Sequence, residues 1–361
     1  MSTTPFFIHR IQKLHQRLET FKSETMLVTS LPQLQYLSGF TGSNGIGIVL
    51  RSGAILVTDY RYASQARDQA KGWDVVITTG DLIDELKKKK ILRSGMRVAF
   101  DENTLVYSRF AKLRQNFPGV KFIPVGMVIE EIAAVKDDDE ISKIRKATEI
   151  SDKVFAEILS FLKPGVREAD IAAEITYRQR RYGADGDAFD TIIASGVRSA
   201  LPHGKASAKL LENGDLVTID FGCTVSGYVS DITRTVIIGK AKPEAKKIYA
   251  IVLEAQQRAI DAVRAGVKAR AVDGVARAII QKKGYGKYFR HSLGHGIGLM
   301  VHEQPRLARQ SRAILEPGNV VTVEPGIYIP GFGGVRIEDD VVVTGGYCTI
   351  LTTSPKELFI L

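Results

Sequence analysis

The chain has 361 residues, 44% hydrophobic and 25% charged, the balance of a globular protein whose length calls for two domains. No apolar run approaches the roughly 18–20 residues that span a bilayer. The net charge of +10 raises nucleic acid or a membrane surface as a partner, but the basic residues are scattered, and neither partner is expected. The one basic run, Lys87–Lys90, closes the helical stretch DLIDELKKKKIL, where cations are favoured at a helix C-terminus.

The segment MSTTPFFIHRIQKLHQRL lacks a basic stretch, apolar core and cleavage site in signal-peptide order, and Glu19 and Glu24 follow soon after. It reads as a packed first helix, with apolar residues at 3–4 spacing through FIHRIQKLHQRLETF. MLVT, GIGIVL, AILVTD, WDVVIT and RVAFD then read as strands, and YRYASQARDQA and SRFAKLRQNF as helices between them. The loop Ser38–Gly47, SGFTGSNGIG, fits neither phosphate-loop spacing and is taken as a turn-rich connection. This α/β domain is expected to occupy residues 1–130.

Residues 131–361 form the second expected domain. The acidic run Asp137–Glu140 has N-cap and N3 spacing ahead of Ile141, Ile144 and Ala147, so it predicts a capping box and a helix running to about Leu162. READIAAEITYRQRRYG, PEAKKIYAIVLEAQQRAIDAVRAG and ARAVDGVARAIIQKKG predict three more helices. The stretches between and after them are β-rich, which gives an α+β domain with helices on a curved antiparallel sheet. Only Cys223 and Cys348 occur, so no disulfide framework or thiolate metal site is expected, and a cytoplasmic enzyme fits.

Every chemistry-bearing string lies on those β-rich stretches: Asp220 in VTIDFG, Asp231 in VSDITRT, His295 in SLGHGIG, Glu324 in VTVEPG and Glu338 in RIEDD. Asp220 and Asp231 flank ten residues centred on Ser226-Gly227, a plausible two-residue hairpin turn that pairs position 220 with 233. Asp231 is then a diagonal neighbour on the same face, while a turn shifted by one whole pair would set it directly opposite; either register leaves the two carboxylates on one face, roughly 5–8 Å apart. Glu324 and Glu338 end or interrupt apolar strands joined by the Gly-rich IYIPGFGGV, and Arg336, two residues before Glu338, is placed to hold a liganding carboxylate. Four carboxylates and an imidazole cannot form a core unless a strong cation neutralises them. Two divalent metal ions are the natural solution, with a ligand set that suits Mn²⁺ or Co²⁺ and leaves Zn²⁺ or Fe²⁺ open.

IDFG…SDITRT, HSLGHGIGLMVHE, VEPG and RIEDD together resemble the pita-bread metallopeptidases, the family of Xaa-Pro aminopeptidases, prolidases, methionyl aminopeptidases and creatinases. YLSGFTGSNG is similar to the creatinase-type N-terminal domain of its proline-specific members. The resemblance implies that Asp220 chelates one ion, Asp231 and Glu338 bridge two, and His295 and Glu324 complete the coordination. It also implies Glu324 as general base toward water and proton carrier to the departing amine. His203 and His302 would then hold the scissile carbonyl and its tetrahedral intermediate, His291 would lie near the prolyl ring, and Arg336 would support the ligands. His302-Glu303-Gln304-Pro305-Arg306 resembles the HExPR string of compact microbial prolidases, which makes Arg306 a candidate for the substrate carboxylate. The implied protein is a homodimeric exopeptidase acting on peptides with proline second. The alternatives are a methionyl aminopeptidase-like or creatinase-like hydrolase, or a non-catalytic binding protein on the same fold. The N-terminal domain counts against the first, and the complete ligand set against the other two.

Overall fold

The structure, a computed structural model, describes residues 4–361; the first three residues of the N-terminal segment lie outside the described residues. The chain forms two compact units, one ending at Ala133 and one running from Ala134 to Leu361.

The first unit contains α1 (Thr4–Glu19), β1 (Thr25–Val28), α2 (Leu31–Ser38), β2 (Gly45–Leu50), β3 (Gly53–Asp59), α3 (Ala63–Gln69), β4 (Asp74–Thr78), α4 (Leu82–Lys88), β5 (Arg97–Asp101), α5 (Tyr107–Asn116), β6 (Lys121–Val125) and α6 (Val128–Ala133). The six strands make one mixed sheet in the order β4-β3-β2-β1-β5-β6. Its core joins Leu27, Ile46, Ile48, Val57, Val98 and Phe100 from the sheet to Leu82, Ile83, Leu86 and Leu113 from α4 and α5. Helix α4 begins where the Asp81 carboxylate accepts the backbone N–H of Ile83 and Asp84, and ends in the predicted lysine run. The predicted connection Ser38–Gly47 is shorter than expected, because β2 already starts at Gly45.

The second unit opens with α7 (Asp138–Ile158) and α8 (Glu168–Arg181), followed by β7 (Gly186–Asp187), β8 (Ile192–Ser195), β9 (Leu216–Phe221), β10 (Cys223–Val225), β11 (Tyr228–Val229) and β12 (Ile232–Ile237). Then come α9 (Pro243–Ala262), α10 (Ala269–Lys282), β13 (Gly294–Gly296), β14 (Glu303–Leu307), β15 (Val320–Val323), β16 (Gly326–Ile329), β17 (Gly333–Arg336), β18 (Asp339–Val343) and β19 (Cys348–Ile350). The predicted capping box is present at the start of α7: the Asp137 carboxylate accepts the Glu140 N–H, and the Glu140 carboxylate accepts that of Asp137.

The strands of this unit form antiparallel sheets in the orders β12-β9-β8, β11-β10-β7 and β14-β13-β15-β18-β19, with the hairpin β16-β17 beside them. Each helix pair covers its own stretch of sheet. Val154, Phe155, Ile158, Ile171 and Ile175 of α7 and α8 pack on Ile193, Ile219 and Val236. Ile248, Val252, Val272 and Ala276 of α9 and α10 pack on Val321, Val335 and Val341. Helices on one side of a curved antiparallel sheet leave the other side for the site.

Asp220 pairs with Thr233 across β9 and β12, the register the two-residue turn predicts. Val225 pairs with Tyr228 around Ser226 and Gly227, which have φ of 52° and 84°, as a type I′ turn requires. Between the two sheet segments the hairpin closes so tightly that a Cβ on Gly222 would lie 1.8 Å from the Ser230 carbonyl oxygen. Gly222→Ala should therefore force the strands carrying Asp220 and Asp231 apart and destabilise the protein by about 1–3 kcal/mol in chemical denaturation. A loss below about 0.5 kcal/mol would mean that the hairpin yields freely.

Candidate metal centre and substrate site

His295 sits at the middle of the three-residue strand β13, between β14 and β15. Gly294 and Gly296 on either side are required by close approach: added Cβ atoms would fall 2.0 Å from the Thr322 carbonyl oxygen and 2.1 Å from that of Gln304. The strand is thus threaded between two backbones, and the imidazole projects from a fixed point. Its Nε2 lies 3.3 Å from Glu324 Oε1 and 3.8 Å from Asp231 Oδ2.

Asp231, His295 and Glu338 are all buried, and each offers one potential ligand atom within 4.8 Å of the others. Glu324, just beyond β15, joins them through His295. Asp220 stands differently: Arg336 Nη2 donates to its Oδ2, while its Oδ1 is buried with no partner among the described residues. Arg336 therefore supports one of the carboxylates of the cluster, and the one it reaches is Asp220. It also donates to the Tyr328 hydroxyl (2.7 Å), Thr233 Oγ1 (3.1 Å) and the Pro202 carbonyl (3.2 Å), which ties the segment before His203 to the site.

Several supporting residues went unnoticed in the sequence. The Thr233 hydroxyl donates to Glu338 Oε2 at 2.6 Å. The Thr322 hydroxyl lies 3.2 Å from Glu324 Oε1 and accepts the His295 N–H at 3.1 Å. Asp340 Oδ2 accepts the Asp231 N–H at 3.0 Å. The available signal was spacing: Thr322 precedes Glu324 by two, and Thr233 follows Asp231 by two, so each shares a strand face with a carboxylate.

Charge decides what this arrangement can hold. Asp220, Asp231, Glu324 and Glu338 face one guanidinium, Arg336, and one imidazole, His295. Even with His295 protonated, two negative charges stay unbalanced in a buried space. The strain shows in the carboxyls: burial and then the charges of Glu338 and Asp220 push Asp231 well above the usual range, and burial with Glu324 and Asp220 does the same to Glu338. Asp340 is pushed to about 8, chiefly by burial. Glu324 moves the other way: burial works against it, but the hydrogen bond and charge of His295 hold it at about 2. His295 is correspondingly raised despite its burial. Hard oxygen donors with one imidazole, an orphaned oxygen on Asp220 and uncompensated negative charge fit divalent cations.

Three further histidines border this cluster. The rings of His302 and His295 stand 4.4 Å apart. Burial and the charge of His295 lower the pKa of His302. The Nε2 of His291 is 3.1 Å from the Tyr328 hydroxyl, its Nδ1 is 2.7 Å from the Ser292 carbonyl, and burial lowers its pKa. His203 is exposed just after the anchored Pro202. Arg306, exposed on β14, lies close enough to His302 to contribute to that lowered pKa, as does His203. These groups therefore share one neighbourhood.

Residues 142–345 match the model of metallopeptidase family M24, and residues 10–135 match that of the creatinase/prolidase N-terminal domain. The chain belongs to metallopeptidase family M24. It is 38% identical over 351 residues to the Xaa-Pro dipeptidase of Pyrococcus horikoshii, covering 97% of this chain and 98% of that one. Its fold superposes on the Xaa-Pro dipeptidase from Bacillus anthracis with a TM-score of 0.95 at 44% identity, over 98% and 100% of the two chains. It also superposes on the X-Pro aminopeptidase from Thermotoga maritima with a TM-score of 0.89 at 43% identity, over 96% and 100%.

The raised carboxyls give the metal-free protein a definite pH response. Folded Asp231 and Glu338 keep protons that the unfolded chain releases near pH 4, so the stability they contribute is present at lower pH and lost as pH rises toward their folded values. His295, also raised, adds a loss of the same sign above about pH 6.5. Glu324, lowered to about 2, has delivered its contribution before that window opens. In thermal melts of chelator-treated protein, the gain in Tm on adding Mn²⁺ should grow from about pH 5 to pH 7. A gain independent of pH would exclude this charge balance.

Proposed function

We propose that the chain is a dinuclear exopeptidase that cleaves the bond between an N-terminal residue and a following proline. The observation that carries this reading is the buried, undercompensated carboxylate cluster around His295, with the His302 ring against it. Asp220, Asp231, His295, Glu324 and Glu338 would hold two divalent ions, Mn²⁺ first among the candidates. Bound there, such ions would polarise the scissile carbonyl and make water more acidic.

The protein's own groups account for the remaining steps. Glu324, held ionised and braced by the Thr322 hydroxyl, takes the proton of the attacking water and returns it to the departing prolyl nitrogen. His302, kept neutral by its lowered pKa, presents an N–H where negative charge develops on the carbonyl oxygen, and His203 assists from the opposite segment. His291, fixed between Tyr328 and the Ser292 carbonyl, offers an apolar ring face to proline. A bond to proline has no amide N–H, whereas an ordinary peptide would bury an unpaired donor there at about 1–3 kcal/mol. Arg336 orients Asp220 and the His203 segment together.

In this reading residues 1–130 serve as the creatinase-type N-terminal domain and residues 131–361 as the catalytic domain of a cytoplasmic homodimer. No helix among the described residues is long and apolar enough to cross a membrane. The full ligand set favours catalysis over a binding role. Metal analysis of the purified protein should give about two ions per chain, whereas none would support a binding module.

Asp231→Asn or Glu338→Gln should abolish hydrolysis of an Xaa-Pro dipeptide while circular dichroism shows the fold retained; full activity in either variant would remove the dinuclear mechanism. Arg306→Ala should raise KM for Xaa-Pro dipeptides by about 10-fold or more and affect Xaa-Pro-Yaa tripeptides less, since only the dipeptide carries its carboxylate at that distance. Equal effects on the two substrates would refute the carboxylate role.

A further inference from the structure

We propose that Lys136 is a positioning residue for His302, acting through the carboxylate of Glu303. The inference rests on the reading of His302 as a group that meets substrate. Lys136 Nζ lies 2.8 Å from Glu303 Oε2, and the two side chains are only 1% and 10% exposed. A lysine is rarely buried so deeply, and an ion pair there contributes little net stability against the loss of its hydration. Geometric specificity is the better account of it.

Both ends of the pair are fixed to the site. On the lysine side, the Lys136 N–H donates to the Gly318 carbonyl at 2.8 Å, Val135 bridges Asn319, and Asn319 Nδ2 donates to the Ala134 carbonyl at 2.9 Å. Gly318 and Asn319 lead directly into β15, which ends at Val323, one residue before Glu324. The ammonium is thus launched from the root of the strand that positions the proposed base. On the other side, Glu303 Oε1 accepts the Met300 N–H at 2.9 Å, and the Gly298 N–H donates to the Met300 carbonyl at 3.1 Å. These bonds fold the loop 297–302, which joins the strand of His295 to that of Arg306.

His302 is the last residue of this loop. Its ring packs on His295 but has no hydrogen bond among the described residues. Where the imidazole stands is therefore set by the loop: backbone bonds of Ile297 to Val320 and of Gly298 to Val229 tie its first half, and the Glu303 carboxylate closes its second half, next to His302. Without the ammonium, that carboxylate would be drawn toward water and take the loop with it. Lys136 holds it in, and so holds the relation between His302 and Glu324.

The test is steady-state kinetics on an Xaa-Pro dipeptide at saturating Mn²⁺, with metal content and thermal melting recorded for each variant. Lys136→Met should lower kcat by a factor of about 10² while metal content and KM change little, and Lys136→Arg should recover most of the loss. Glu303→Gln, which keeps an acceptor for Met300 but not the charge, should lower kcat as well. Adding Lys136→Met to it should then cost less than about threefold more, because both changes act on one contact. A folded Lys136→Met enzyme with kcat within about threefold of the parent would overturn the proposal, as would additive losses or a fall in metal content that tracks activity. Should Lys136→Met fail to fold, Glu303→Gln decides: reduced kcat with full metal supports the proposal, and unchanged kcat overturns it. His302→Ala separates the two ideas, since an unimpaired His302→Ala enzyme refutes the reading of His302 itself. An impaired one beside normal Lys136 variants refutes only the role of Lys136.

Discussion

The carboxylates of Asp220, Asp231, Glu324 and Glu338 are drawn into one largely buried space with too few positive charges to match them. Hydrophobic burial elsewhere in the second unit supplies the driving force that holds them there. Left to themselves, such groups would repel, protonate or turn outward. Each response is visible in part: Asp231 and Glu338 are pushed toward their neutral forms, Glu324 takes a proton-bearing imidazole as partner, and Asp220 takes a guanidinium. A site under this tension is predisposed to cations, and the rest of the second unit is arranged to keep the tension from relaxing.

The restraint comes from hydroxyls and backbone more than from opposite charge. The Thr233 hydroxyl holds Glu338 by a short hydrogen bond and that of Thr322 holds Glu324 by a longer one, and Asp340 holds the backbone of Asp231. A hydroxyl orients a carboxylate without neutralising it, so it fixes position while leaving the negative charge available. Asp220 is given a guanidinium, and there one oxygen is left without a partner among the described residues. Beneath this layer, Arg234 and Lys356 both pair with the buried Asp339, fixing the start of β18 just after Glu338.

Much of this was legible in the sequence, for identifiable reasons. The Asp137–Glu140 capping box depends on neighbours in the chain, so local spacing sufficed. The register of Asp220 against Thr233 follows from a two-residue turn, which counts residues and needs nothing else. The gathering of distant strings could be argued only from charge, since no residue count links His295 to Asp231. Spacing placed Arg336 against a carboxylate of the cluster but could not say which one: β17 stops at Arg336, β18 starts at Asp339, and the arginine reaches across to Asp220. Helix α2 and strand β6 escaped notice because each contains a proline and little apolar periodicity. Thr233, Thr322 and Asp340 look like ordinary strand residues until their partners are known.

The glycines flanking His295 bear on how the site can change. With carbonyl oxygens 2.0 and 2.1 Å from where side chains would grow on either side, evolution or a protein engineer has no small step by which to shift that imidazole. The carboxylates are different, for their orientation depends on removable hydroxyls. On the proposed metal-binding reading, retuning of metal preference is thus channelled to the acidic half of the site, and His295 serves as the fixed datum against which the carboxylates are adjusted.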